Sequence, residues 1–217
     1  MNVLIVDDHP MTIDLYENIL LNNSEFISNL NITKALNCKD AFEAYAVSKI
    51  NKSDFDLALI DYSLPIYKEK NILSGGDVAN LIKSDGICKV IIITAQTQLL
   101  VVYDILKKIK PEGMVIKSDV TTENFMTIIN TVIEGNLYQS PIVKTSVKEI
   151  WKKEIMADEM NRQIMLLLAK GYKIKKIEIV LMLSVSAIQR RIAQMKDAFD
   201  VKEDSSLVEE AMYHGFL

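Results

Sequence analysis

The sequence predicts two domains of different class: a doubly wound α/β domain on a five-stranded parallel sheet, then an all-α domain. Three observations predict this. Over the first 135 residues, short β-branched runs alternate with longer stretches whose apolar residues recur every three or four positions. Parallel strands need crossovers, and right-handed crossovers place helices on both faces of the sheet. Further along, only the helical period persists. Between the two patterns, "GNLYQSPIVKTSVKEIWKKE" breaks the rhythm with Gly, Ser and Pro. Domains are therefore expected at 1–135 and 157–217, with 136–156 as a connection of undetermined structure.

The elements follow in order. "NVLIV" reads as the first strand, after which Met11, Leu15 and Ile19 fall at helical spacing. "LNITKAL" is a second strand, followed by the amphipathic "DAFEAYAVSKI". "FDLALI" is a third, followed after a long loop by "DVANLIKS". "KVIIIT" is a fourth, and Leu99, Val102, Leu106 and Ile109 give the next helix its apolar stripe. "GMVIK" is a fifth. "TENFMTIINTVIEG" closes the series with Phe125, Ile128, Ile129 and Val132 inward and Gly135 as a stop.

Composition limits the function classes. No apolar run approaches the roughly 18 residues that span a bilayer, and the N-terminus lacks a signal-peptide pattern. A cytoplasmic protein without a membrane partner is expected. Cys38 and Cys88 have neither CxxC spacing nor histidine neighbours, so two reduced, buried thiols are expected rather than a disulfide or zinc site. His9 and His214 are too few and too far apart for a metal site. The net charge of −4 is uneven: residues 1–150 carry 14 basic and 19 acidic side chains, residues 151–217 carry 11 and 10. Lys170 to Lys196 contains seven Lys or Arg and one acid, Glu178. That basic stretch favours a polyanionic partner.

In a doubly wound sheet, ligands bind at the carboxyl ends of the strands. The residues that end the apolar runs are Asp7 and Asp8, Asp61, Thr94 and Lys117. Taken singly, each reads as readily as a helix cap, a β-former or a surface lysine. Together they are chemically matched. Three clustered carboxylates resist ionisation unless a cation offsets them, and an all-oxygen site suits Mg2+. Thr94 and Lys117 add a hydroxyl donor and a positive charge, the complement of a phosphoryl group on the third carboxylate.

Through "LIVDDHP", "LALIDYSLP", "IIITA" and "GMVIKSD", residues 1–135 resemble the receiver domain of two-component response regulators, a flavodoxin-like fold. The resemblance implies Asp61 as phosphoacceptor and Asp7, Asp8, Asp61 and the Ser63 backbone carbonyl as Mg2+ ligands. It also implies Thr94 and Lys117 as the phosphate-sensing pair, and a histidine kinase or small phosphodonor as partner. It implies self-phosphorylation and slow hydrolysis, with no external substrate turned over and hence no enzyme in the usual sense. Two departures stand out. The loop after Pro65, "IYKEKNILSGGD", is longer than the family's short turn, and Met114 stands where many relatives carry a switch aromatic.

In the basic segment, "NRQIMLLLAKG" ends an apolar stripe in glycine, and "YKIKKIEIVLML" places Ile174, Ile177 and Leu181 at helical spacing. Ser186 with Gln189 reads as a capping box for the last helix of a helix-turn-helix, "AIQRRIAQMKDAF". Ile188, Ile192, Met195 and Phe199 form its buried stripe. Arg190 and Gln194 then point outermost, with Gln189, Arg191 and Lys196 on the flanks, where they can read base edges in a major groove. Lys173, Lys175 and Lys176 are better placed for phosphates. Through "IMLLLAKG", "LSVSAIQRRIAQMKDAF" and the terminal "SLVEEAMYHGFL", residues 157–217 resemble the LuxR/NarL type of DNA-binding domain, which implies a four-helix module, double-stranded DNA as partner and a homodimer when active. Met160 and Asn161, Glu178, Ala187 and Arg191 depart from the family's usual residues.

The sequence thus points to a DNA-binding transcription regulator controlled by phosphorylation at Asp61. The alternative is a phosphorylation-dependent protein-interaction adaptor whose second domain no longer binds DNA. A phosphatase is disfavoured because Asp61 lies on a different strand from the aspartate pair.

Overall fold

A computed structural model describes residues 1–23, 29–84, 86 and 88–217. The chain divides into two compact units, Met1–Lys144 and Thr145–Leu217. Among the described residues no helix is long and apolar enough to cross a membrane.

The first unit alternates strand and helix: β1 (Asn2–Val6), α1 (Pro10–Asn22), β2 (Asn31–Ala35), α2 (Cys38–Ile50), β3 (Leu57–Asp61), α3 (Gly75–Lys83), β4 (Lys89–Thr94), α4 (Leu99–Lys108), β5 (Gly113–Ile116) and α5 (Phe125–Ile133). A further strand, β6 (Tyr138–Gln139), precedes α6 (Pro141–Ala157). The sheet order is β2-β1-β3-β4-β5-β6 and every pairing is parallel. The sheet thus has six strands rather than the expected five. Two residues of β6 pair with Gly113 and Met114, a contact too short to leave a periodic signal in sequence.

The interior strands are buried on both faces, which is why β3, β4 and β5 read as continuous apolar runs. Val3, Ile5, Leu57, Leu59, Ile91, Ile93 and Val115 share one face and pack with Ile13, Tyr16, Ile19 and Leu20 of α1 and Phe125, Ile128, Ile129 and Val132 of α5. The intervening residues of each strand fill the opposite face. The inward face of α1 differs in phase from the expected stripe, for Met11 and Leu15 are 86 % and 47 % exposed. Tyr16, stacked on Phe125 with ring centroids 4.8 Å apart, sets that phase. Both cysteines are buried and unbridged, and burial pushes their thiols up to about 11 for Cys38 and about 12 for Cys88.

The second unit contains the later part of α6 and α7 (Glu159–Ala169), α8 (Ile174–Leu181), α9 (Val185–Phe199) and α10 (Asp204–Tyr213). Residues 136–156, expected as a connection, therefore include a strand and most of a helix. Ile164, Met165, Ile177, Ile188, Ile192, Met195 and Phe199 form the core with Leu207 and Ala211. The expected stripe of α9 is thus its buried stripe. Its cap, however, is Ser184, whose hydroxyl accepts from the Ala187 N–H at 3.3 Å; Ser186 lies inside the first turn. Both serines suit a cap chemically, and the helix starts at Val185, two residues earlier than a Ser186–Gln189 box implies.

Candidate functional site

Strand register brings the expected residues to one edge of the sheet. Val6 pairs with Ile60, Asp61 with Ile93, and Thr94 with Ile116, so the chain positions just past β1, β3, β4 and β5 lie side by side. Asp7 and Asp61 are almost wholly buried and Thr94 is fully buried. The ammonium of Lys117 lies between the two aspartates, 2.7 Å from Asp7 Oδ2 and 2.6 Å from Asp61 Oδ2. Partial burial alone would lower the Lys117 ammonium, but hydrogen bonds to Asp61 and Asp7 outweigh it and hold the group above the ordinary lysine value.

Each carboxylate keeps one oxygen for a local donor. Asp61 Oδ1 accepts from the Ser63 N–H at 3.1 Å, and Asp7 Oδ1 accepts from the His9 N–H at 3.0 Å. His9 Nδ1 lies 2.7 Å from Asp8 Oδ1 and 3.2 Å from Asp7 Oδ1. Asp8, a third exposed, is thereby joined to the buried pair, and Asp7, Asp8 and His9 offer ligand atoms within 4.8 Å of one another. Thr94 Oγ1 accepts from the Gln96 N–H at 3.1 Å, while Gln96 Nε2 donates to Ser63 Oγ at 3.2 Å. Gln96 thus connects the ends of β3 and β4.

Three further residues shape the edge and were not singled out from sequence. Tyr16 is buried close by; burial mainly, with Lys117 opposing and Asp7 and Asp61 adding, pushes its hydroxyl up to about 12. Gly75 opens α3 against the end of β3, where its N–H donates to the Tyr62 carbonyl at 2.9 Å. A Cβ there would stand 1.8 Å from the Asp61 carbonyl oxygen, so only glycine allows this approach. Gln96 is the third. The "GG" before "DVANLIK" was the one visible signal; Tyr16 and Gln96 act through contacts distant in sequence. Met114 is fully buried in β5. The long loop after Pro65 closes on itself, with Tyr67 and Ile72 paired by backbone hydrogen bonds, and the Pro65 carbonyl accepts from the Cys38 N–H at 3.1 Å.

In the second unit, Gln189, Arg190 and Gln194 lie exposed on α9, and Lys173, Lys175 and Lys176 are exposed around the start of α8. The Lys176 ammonium rests 4.0 Å from the centre of the Tyr172 ring. Arg191 and Lys196 differ from the expected flanking positions. Arg191 Nη1 is 2.7 Å from Asn161 Oδ1 and 3.0 Å from Asp158 Oδ1. Lys196 pairs with Asp204 at 2.5 Å. Asn161 is buried and needs a donor for its carbonyl oxygen, which gives Arg191 its inward course. Two of the noted departures, Asn161 and Arg191, are therefore partners.

No family model matches the chain. The oxygen regulatory protein NreC of Staphylococcus carnosus (strain TM300) is 22 % identical over 98 % of this chain and 97 % of its own length. The RcsB response regulator of Salmonella typhimurium superposes with a TM-score of 0.56 at 19 % identity over 98 % of each chain. RcsB in complex with DNA gives 0.55 at 19 % identity, again over 98 % of each chain. At these identities the likeness establishes the fold: an α/β unit and a helical unit in the order found in a whole response regulator.

Proposed function

We propose that the chain is a response regulator: it accepts a phosphoryl group on Asp61 and regulates transcription by binding double-stranded DNA through α9. The observation that carries the reading is the Lys117 ammonium bridging the Asp61 and Asp7 carboxylates at the carboxyl edge of the sheet. A histidine kinase or a small phosphodonor supplies the group.

The chemistry follows from the edge. An incoming phosphoryl group brings negative charge toward Asp61, Asp7 and Asp8, and Lys117 supplies the fixed positive charge that offsets it. Its ammonium has three donors, enough to leave one carboxylate for a phosphoryl oxygen while keeping the other. The Ser63 N–H holds Asp61 Oδ1 and so restricts rotation of the carboxylate. The Thr94 hydroxyl accepts from Gln96 and retains its own proton to donate toward new oxygens. The donor set of Asp7, Asp8, Asp61 and the Ser63 carbonyl is hard and oxygen-only, which fits Mg2+. That ion, when bound, supplies charge neutralisation of the phosphoryl oxygens.

On the second unit, Arg190, Gln189 and Gln194 face base edges, and Lys173, Lys175 and Lys176 face phosphates. Arg191 and Lys196 keep α9 in place from within the unit. RcsB has been solved as dimers bound to DNA, and a homodimer is the corresponding active form proposed here.

The deciding experiment treats the wild type and Asp61→Ala with acetyl phosphate and Mg2+, follows the mass for one added phosphoryl group, and then selects bound DNA with each form. Label on the wild type alone, with stronger selection of specific duplexes by the labelled form, is the expected result. Equal labelling of Asp61→Ala would remove Asp61 from the mechanism.

A further inference from the structure

Lys117 is held on both sides by the segment that follows the last helix of the sheet. Ile116, just before it, donates its N–H to Ser140 Oγ at 3.2 Å, and the Ser140 N–H donates to the Met114 carbonyl at 3.0 Å. Ser140 is 1 % exposed, so its hydroxyl extends the β5–β6 ladder beyond the point where backbone pairing stops. Asp119, two residues after Lys117, accepts the Ile142 N–H through Oδ2 at 3.0 Å. The peptide that carries the bridging ammonium is therefore tied before and after to residues 140–142.

We propose that Ser140, together with Asp119, is a positioning residue for Lys117, and so sets the rate at which Asp61 takes a phosphoryl group. The inference rests on the reading of Asp61 as phosphoacceptor. A lysine ammonium sits at the end of a flexible four-carbon stem, so its place depends on how firmly the backbone beneath it is held. Here the ammonium must meet two carboxylates at 2.6 and 2.7 Å at once. Without the Ser140 hydroxyl, the Ile116 N–H loses its acceptor in a buried ladder, and the peptide turns or admits water to find another. A displacement of about 1 Å at a reacting site slows transfer by up to a hundredfold. Nothing in this chain of contacts touches the phosphodonor, so donor saturation should not change.

The test uses the full-length chain and compares wild type with Ser140→Ala, Ser140→Thr, Asp119→Ala and Val132→Ala. The last is a core truncation on α5 that controls for general destabilisation. Asp61 labelling by acetyl phosphate with Mg2+ is followed over donor concentration. Ser140→Ala is expected to lower the limiting rate about tenfold or more with the half-saturating donor concentration unchanged. Ser140→Thr, which keeps the hydroxyl, should restore most of it. Asp119→Ala should slow labelling in the same way, and it decides the question if Ser140→Ala does not fold. A wild-type limiting rate in Ser140→Ala or Asp119→Ala, no rescue by threonine, or equal slowing by Val132→Ala would overturn the positioning role. A wild type that takes no label would overturn the phosphoacceptor reading beneath it.

Discussion

At Gly75, one missing methyl group lets the start of α3 lie against the carbonyl of Asp61. Gly75→Ala should therefore push α3 and the end of β3 apart. We expect a loss of about 1–3 kcal/mol in urea unfolding, the range for overpacked sites, together with slower labelling of Asp61. An unchanged unfolding midpoint would show that the loop before α3 absorbs the methyl. Tyr16 gives a second prediction, for alkaline pH. Its folded value is raised, so the protonated hydroxyl favours the folded state; that stability is complete below about 10, the unfolded value, and is lost as pH rises toward about 12. The Tyr67 hydroxyl is raised as well, so the test is the step at about 12: absorbance titration should show it, and Tyr16→Phe should remove it. A step at about 12 that persists in Tyr16→Phe would assign it elsewhere. The strand-end residues were legible in sequence because each ends an apolar run. Tyr16 and Gln96 were not, because what makes them matter is a neighbour brought close only by the fold.

Elements were legible by period and less so by phase. The α1 stripe read from Met11 and Leu15 is rotated away from the core because α5, through Phe125, engages Tyr16 instead. The cap of α9 fell on Ser184 rather than Ser186, since two serines two apart give equal chemical signals. The helix-turn-helix surface shows the same limit: spacing alone cannot tell which arginine of the Arg190–Arg191 pair turns inward. Arg191 fastens α9 to the start of α7 through Asp158 and Asn161. Arg191→Met should lower stability by about 1–3 kcal/mol, the range for losing charge-assisted hydrogen bonds and stranding a buried acceptor, as read from thermal unfolding. Arg190→Ala should leave thermal unfolding within about 0.5 kcal/mol and weaken binding to a selected duplex by about 1–3 kcal/mol, measured by fluorescence anisotropy. If the two variants exchange effects, the exposed face of α9 has been assigned wrongly.

The whole molecule divides at Lys144 and Thr145, inside α6. The sequence placed the end of the first domain at 135, before a break in composition, but the chain continues through β6 and the ties at Ser140 and Asp119 before the first unit is complete. Such ties involve single hydrogen bonds, which leave no pattern in sequence. Two units predict two calorimetric transitions. Added Mg2+ should raise the one belonging to residues 1–144 and leave the other in place, since a ligand stabilises only the fold that binds it. Asp61→Ala should weaken that shift, and a joint shift of both transitions would mean they unfold as one block. The sheet's two outer strands carry a last consequence. β2 presents Lys34, which is paired with Asp14 and Glu17, and β6 is two residues long, with Pro141 opening α6 two residues after its end. A lysine, brevity and a proline are what keep an open sheet margin from recruiting another copy. A chain cut before Tyr138 would bare the wholly apolar margin of β5, and we would expect it to form insoluble aggregates as its concentration rises.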